Sequence, residues 1–132
     1  MKRLFALVLS LVLLCPACRA ASEPVTRGEF TVALWAAFGG VPYEDTGVFY
    51  DVSHNRPDTA AICWAADMGF LLGTGWGRFD PDRSITREEA AVVLRRVGSF
   101  LGFEARTMGN LAECNDFDGI SPWADDSLYW AT

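Results

Sequence analysis

The chain repeats itself. Val25-Thr26-Arg27-Gly28-Glu29 recurs as Ile85-Thr86-Arg87-Glu88-Glu89, 60 positions later, and the apolar residues that follow recur with it. Phe30, Ala33, Leu34 and Ala37 correspond to Ala90, Val93, Leu94 and Val97, an i, i+3, i+4, i+7 pattern that runs one apolar stripe along a helix. Each helix carries its own start signal. Thr26 with Glu29, and Thr86 with Glu89, form the T-x-x-E capping box, in which hydroxyl and carboxylate satisfy backbone amides that a first helical turn leaves without partners. Gly39-Gly40, and either Gly98 or Gly102, can end the helices.

A second element recurs around these two. Phe49-Tyr50-Asp51-Val52 precedes a predicted helix near Asp58 to Met68, with Ala61, Trp64, Ala65 and Met68 facing inward. Phe117-Asp118-Gly119-Ile120 precedes another that begins at Ser121-Pro122, where proline suits the first helical position, and its Leu128 and Ala131 correspond to Ile62 and Ala65. Between helices, Gly69 to Pro81 is a connector whose glycines permit positive φ and whose Phe79 is expected to pack down on the helices. The unit is helix, glycine-rich loop, helix. The fold class expected is all-α.

The first twenty residues are of another kind. Lys2 and Arg3, the apolar run Leu4 to Leu14 and the small residues around Ala20 describe a secretory signal peptide over residues 1–20. The run is short for a membrane span. An uncleaved anchor, or lipid attachment at Cys15 or Cys18, is the alternative. Removing residues 1–20 takes Lys2, Arg3 and Arg19 from the 11 basic residues and none of the 17 acids, leaving eight arginines and a net charge of about −9. Such a chain has no electrostatic case for nucleic acid, whose phosphates require a basic patch. Cys63 and Cys114 remain after cleavage and are candidates for a disulfide in an oxidising compartment. With His54 the only histidine, a cysteine-histidine zinc site lacks ligands.

These signals, in this order, resemble an S-layer homology repeat. The resemblance runs without gaps from Phe49 through Arg87, across WAADMGFLLGTGWGRFDPDRSITR. The flanks fit the same pattern, since VTRGEFTVALWAAFG from Val25 looks like a closing half and FDGISPWADDSLYWA from Phe117 like an opening half. The expected organisation is a signal peptide at 1–20, a closing half-repeat plus linker at 21–48, a complete repeat at 49–102, a linker at 103–116 and a truncated opening half at 117–132. The resemblance implies tandem helix-loop-helix repeats in a pseudo-threefold spindle, incomplete here. It also implies a non-catalytic module, secreted or at the bacterial cell surface, that holds a secondary, often pyruvylated, peptidoglycan-linked cell-wall polysaccharide without a cofactor.

By position, the resemblance points to Thr26, Arg27, Thr86 and Arg87 in the two T-R-x-E turns, to Gly73, Gly75 and Gly77 in the loop, and to Trp123 as polysaccharide contacts. An arginine one residue inside a helix start lies beside exposed amides and the positive end of the helix dipole, a site suited to a carboxylate. The other reading of Arg27 and Arg87 is that they brace the repeat. Trp123 is either a sugar-stacking or a packing residue, and Trp35, Trp64, Trp76 and Trp130 rank below it as sugar contacts. Three departures stand out. Pro57 occupies the family's tryptophan position, Gly28 weakens the first helical turn, and the outer repeats each lack a half. Thr132 falls inside a predicted helix without a stop signal, which favours truncation over a circularly permuted repeat and leaves apolar faces for self-association.

Other chemistries fail on residue type or spacing. Asp80-Pro81-Asp82 lacks the alternating ligands and closing glutamate of a calcium loop. The glycine run at 73–77 lacks the lysine and hydroxyl of a phosphate loop. Asp51, Ser53 and His54 are too close in sequence, with no elbow motif, to form a hydrolytic triad. Adjacent carboxylates such as Glu88-Glu89 and Asp125-Asp126 point different ways on a helix and suit solvent better than glycoside cleavage. A structural or oligomerising surface protein, and a fragment of a larger secreted protein, are the alternative functions.

Overall fold

The computed structural model describes residues 24–103, 119–124 and 126–128. The expected signal segment, Cys114, Trp130 and most of the linker at 103–116 lie outside the described residues. Within them three helices follow in order: α1, Arg27–Ala37; α2, Thr59–Asp67; and α3, Arg87–Phe100. Residues 126–128 add a further helical turn. The described residues contain no strand, only isolated bridges between Thr26 and Ser84 and between Gly75 and Arg78. The protein is all-α, as the periodicity requires.

Both capping boxes form. Thr26 Oγ1 accepts from Glu29 N–H at 3.2 Å while Glu29 Oε2 accepts from Thr26 N–H at 2.9 Å. Thr86 and Glu89 reproduce this at 3.1 and 3.0 Å. The chain turns out of α1 at Gly39-Gly40 and out of α3 at Gly102, so Gly98 is an interior, buried helical residue.

Two compact units part between Ile85 and Thr86. This boundary falls inside the stretch expected at 49–102 to be one repeat. In the first unit α1 packs against α2, and the loop from Phe70 to Ile85 returns to the start of α1. Leu34, Ala61, Ile62, Ala65, Phe70, Leu71 and Phe79 form its core. Beside the helices' C-terminal ends, Phe38, Trp64 and Phe70 make a three-ring cluster with centroids 5.3 to 5.6 Å apart. Burial of each large side chain contributes about 1.5–3 kcal/mol.

The buried face of α1 is not the one read from apolar spacing. Arg27, Gly28, Thr31 and Leu34 are buried, whereas Phe30, Ala33 and Ala37 are half-buried. The returning loop covers the first turn of the helix and draws the 27/31/34 line inward. Thr31 tolerates this because its hydroxyl donates to Arg27 O at 2.7 Å. In the second unit α3 buries Ala91, Val93, Val97 and Gly98. Glu88 and Arg95 join it to Ser121 and Asp126, through Ser121 N–H to Glu88 Oε1 at 2.6 Å and Arg95 Nη1 to Asp126 Oδ2 at 3.7 Å.

Candidate functional site

The start of α1 is closed by its own chain. Arg27 N–H donates to Arg83 O and Gly28 N–H to Pro81 O, both at 2.8 Å, while Glu29 N–H is taken by Thr26. The helix-start amides expected to face a ligand carboxylate are therefore occupied. Arg27 itself is only 4% exposed, its Nε donates to Phe79 O at 2.8 Å, and its guanidinium lies 4.8 Å from the centroid of the Phe79 ring. These contacts hold the returning loop down, through a charge-assisted hydrogen bond and a cation–π contact that water does not screen.

Gly28, which from the sequence weakens the cap, has a tertiary reason. A Cβ at this position would stand 2.4 Å from Asp58 Oδ2 and 3.1 Å from Pro81 O. Asp58 caps nothing on α2; instead its carboxylate lies at the positive end of α1, where the dipole favours an anion. Arg56 fixes it there, with Nε to Asp58 Oδ1 at 2.9 Å and Nη2 to Asp58 Oδ2 at 3.0 Å, and reaches Asp82 at 2.8 and 3.1 Å. The two carboxylates raise the Arg56 pKa, and Arg56 in turn holds Asp82 below the ordinary carboxylate value.

The loop is clamped from the other side by Asp51, a residue that sequence reasoning missed. Its two oxygens accept from Phe79 N–H and Asp80 N–H, both at 2.8 Å. The available signal was a single acid among the apolar and aromatic neighbours Phe49, Tyr50 and Val52. Thr74 Oγ1 and Arg78 Nη2 each donate to Asp80 at 2.5 Å, and Asp80 lies below its ordinary pKa, first through Thr74 and then through Arg78. Gly73, Gly75 and Gly77 all have positive φ, as their spacing suggests. At Gly73 the requirement is also steric, since a Cβ would come 2.4 Å from Arg78 O and 2.7 Å from Phe49 Cε1. Phe79 is fully buried, its ring 5.2 Å from that of Phe49.

The second T-R-x-E turn has different surroundings. Arg87 is exposed. Its neighbouring acids are engaged within the unit, Glu89 by the Thr86 amide and Glu88 by Ser121 N–H. The Glu88–Ser121 bond brings the turn that carries Trp123, 59% exposed, to the first turn of α3. Of the expected contacts, Thr86, Arg87 and Trp123 thus share the second unit, while Thr26, Arg27 and the loop glycines belong to the first. Cys63 is buried and its thiol donates to Asp45 Oδ1 at 3.7 Å; Cys114, its expected disulfide partner, lies outside the described residues.

Residues 48–91 match the S-layer homology domain. An endoglucanase of Bacillus sp. (strain KSM-635) is 31% identical over 109 residues, which are 81% of this chain and 11% of the enzyme. The chain thus spans about a tenth of that relative's length. No solved structure matches. No helix among the described residues is long and apolar enough to cross a membrane. The second capping box and the clamped loop fall in the matched stretch, and residues 48–91 carry an S-layer homology domain, a cell-wall anchoring module of the cell surface.

Proposed function

We propose that the chain is a non-catalytic anchor that binds an anionic secondary cell-wall polysaccharide, with Arg87 as the principal contact and Thr86 and Trp123 beside it. The observation that carries this reading is the exposed position of Arg87 at the first turn of α3. A cation placed at the positive end of a helix dipole is unfavourable for the helix alone. An anionic ligand at that end meets guanidinium and dipole together, and both act on the same charge. A carboxylate borne on a sugar, such as a pyruvate ketal, fits that chemistry. Trp123 supplies an aromatic face for the attached ring.

The experiment is cosedimentation of the full chain with purified polysaccharide-bearing walls. Saturable binding that falls at least about tenfold in Arg87→Ala, the scale of one charge-assisted contact, supports the reading. Equal binding by Arg87→Ala, or binding indifferent to removal of the acidic ketals, overturns the role given to Arg87. Release of reducing sugar by the chain would overturn the non-catalytic part.

A further inference from the structure

Glu88 makes a contact that its counterpart in the first repeat, Gly28, has no side chain to make. It follows Arg87 in the first turn of α3, half-buried, and its Oε1 accepts from Ser121 N–H at 2.6 Å, 33 positions away. Ser121 opens a closed turn. Ala124 N–H donates to Ser121 O at 2.9 Å, and the amides of Ser127 and Leu128 return to Ala124 O at 2.9 and 3.0 Å. Pro122 has no N–H to offer, so the Ser121 amide is the donor at the front of this turn, and Glu88 holds it. Ala124 is fully buried at the back of the turn, and Trp123 beside it stays 59% exposed.

The matching place in the first unit is built the other way round. With Leu128 aligned on Ile62, Trp123 corresponds to Pro57 and Ala124 to Asp58. There the acid sits at the start of α2, and Asp58 Oδ2 lies 2.4 Å from where a Gly28 Cβ would stand. In the second unit the acid sits on α3, and alanine takes the place of Asp58. The two exchanges belong together, because a glutamate facing an aspartate would set like charges against each other. A carboxylate that starts from the helix reaches the backbone of the turn, and the turn held in this way is the one that carries the exposed tryptophan.

We propose that Glu88 is a positioning residue for the polysaccharide site: by holding Ser121 N–H it sets the turn that bears Trp123 against the first turn of α3, which bears Arg87. The proposal rests on the polysaccharide reading above, and Glu88 itself touches no sugar. A turn ordered before the ligand arrives lowers the cost of binding. What counts is then the reach of the side chain and an acceptor oxygen, not its charge. Any acid in a first helical turn is favoured by the dipole, so charge alone would make aspartate a fair substitute and glutamine a poor one. Positioning reverses that order, since glutamine keeps the oxygen at the same reach and aspartate is one methylene short.

The test is cosedimentation of the full chain with polysaccharide-bearing walls. Wild type is compared with Glu88→Gln, Glu88→Asp and Glu88→Ala, the last also combined with Trp123→Ala, with thermal melting as the check on folding. Binding should stay within about twofold of wild type in Glu88→Gln and weaken about three- to tenfold in Glu88→Asp and Glu88→Ala, the scale of one hydrogen bond. Because the effect runs through the tryptophan, Glu88→Ala should cost less than about a further twofold once Trp123→Ala has removed the ring. Amide exchange at Ser121 should quicken in Glu88→Ala and Glu88→Asp and keep its wild-type rate in Glu88→Gln. Wild-type binding by Glu88→Ala or by Trp123→Ala overturns the proposal and leaves wall anchoring intact. Tighter binding by Glu88→Asp than by Glu88→Gln also overturns it, reducing Glu88 to a helix charge, and so does an equal loss with and without the Trp123 ring. Failure of the wild type to bind walls overturns both readings. If Glu88→Ala does not fold, the order of the glutamine and aspartate variants decides the proposal by itself.

Discussion

The two T-R-x-E turns share a cap and differ in what lies over it. Thr26 and Glu29 close the start of α1 with the same pair of hydrogen bonds that Thr86 and Glu89 use on α3. Yet Arg27 is buried against Phe79, with the loop carbonyls of Pro81 and Arg83 on the adjacent amides, whereas Arg87 is exposed and its flanking Glu88 reaches Ser121. A capping box is a contact between residues three apart, so it forms wherever its sequence occurs. The burial of Arg27 depends on a segment some fifty residues away in the sequence. The same motif thus serves as a brace in one unit and as an exposed cation in the other.

The contrast is broken most severely at its hub. Phe79→Ala should destabilise the first unit by about 3–5 kcal/mol, because it empties a fully buried site and removes the face on which Arg27 rests. A denaturation curve that shifts by less than about 1 kcal/mol would mean that the loop is not held by this ring. Next, Arg27→Ala should cost about 2–3 kcal/mol through a lost cation–π contact and an orphaned carbonyl. Arg87→Ala, at the matching position, should stay within about 0.5 kcal/mol of wild type. Equal losses at the two positions would abolish the distinction drawn here.

Gly28→Ala sharpens the comparison because the two physical effects on it have opposite signs. Helix propensity favours alanine by about 1 kcal/mol, but the new methyl would meet the Asp58 carboxylate, and overpacking of this kind costs about 1–3 kcal/mol. Net destabilisation is expected, and a more stable variant would show that Asp58 can move aside freely. Thr26→Ala and Thr86→Ala should each cost about 1 kcal/mol, alike in both copies, since the cap is local. Unequal values would show that the covering loop contributes to the cap itself.

The smallest effect is on pH. Asp45, Asp80 and Asp82 all titrate below the usual 3.8, held down first by His54, Thr74 and Arg56 respectively. A carboxyl whose folded pKa is depressed adds stability that is fully present above its unfolded value and is lost as pH falls through the folded one. Melting temperature should therefore decline below about pH 4, modestly because these groups are near solvent. A flat profile down to pH 2 would remove these ion pairs from the account.

Periodicity and capping determined α1 and α3 and their starts from sequence alone, because these depend on residues within one turn of each other, whereas the helix expected to begin at Ser121-Pro122 has a turn at 122–124 and its helical residues at 126–128. Positive φ at Gly73, Gly75 and Gly77 was legible for the same reason, as was burial of Phe79. Less legible was the identity of the packed unit. The first unit packs α1 against α2 and returns the loop from Phe70 to Ile85 to the start of α1, and no periodicity records that choice of neighbours. The buried line on α1 likewise turned toward Arg27 and Thr31, polar residues that an apolar template passes over, because the returning loop supplied partners for them. Asp51, Asp58 and the tight fit at Gly28 were decided at the same level. Each joins residues about 28 or more positions apart, or 30 for the approach of Asp58 to Gly28. Local geometry is written in neighbouring residues, whereas the burial of a charge is settled only when a distant segment arrives to satisfy it.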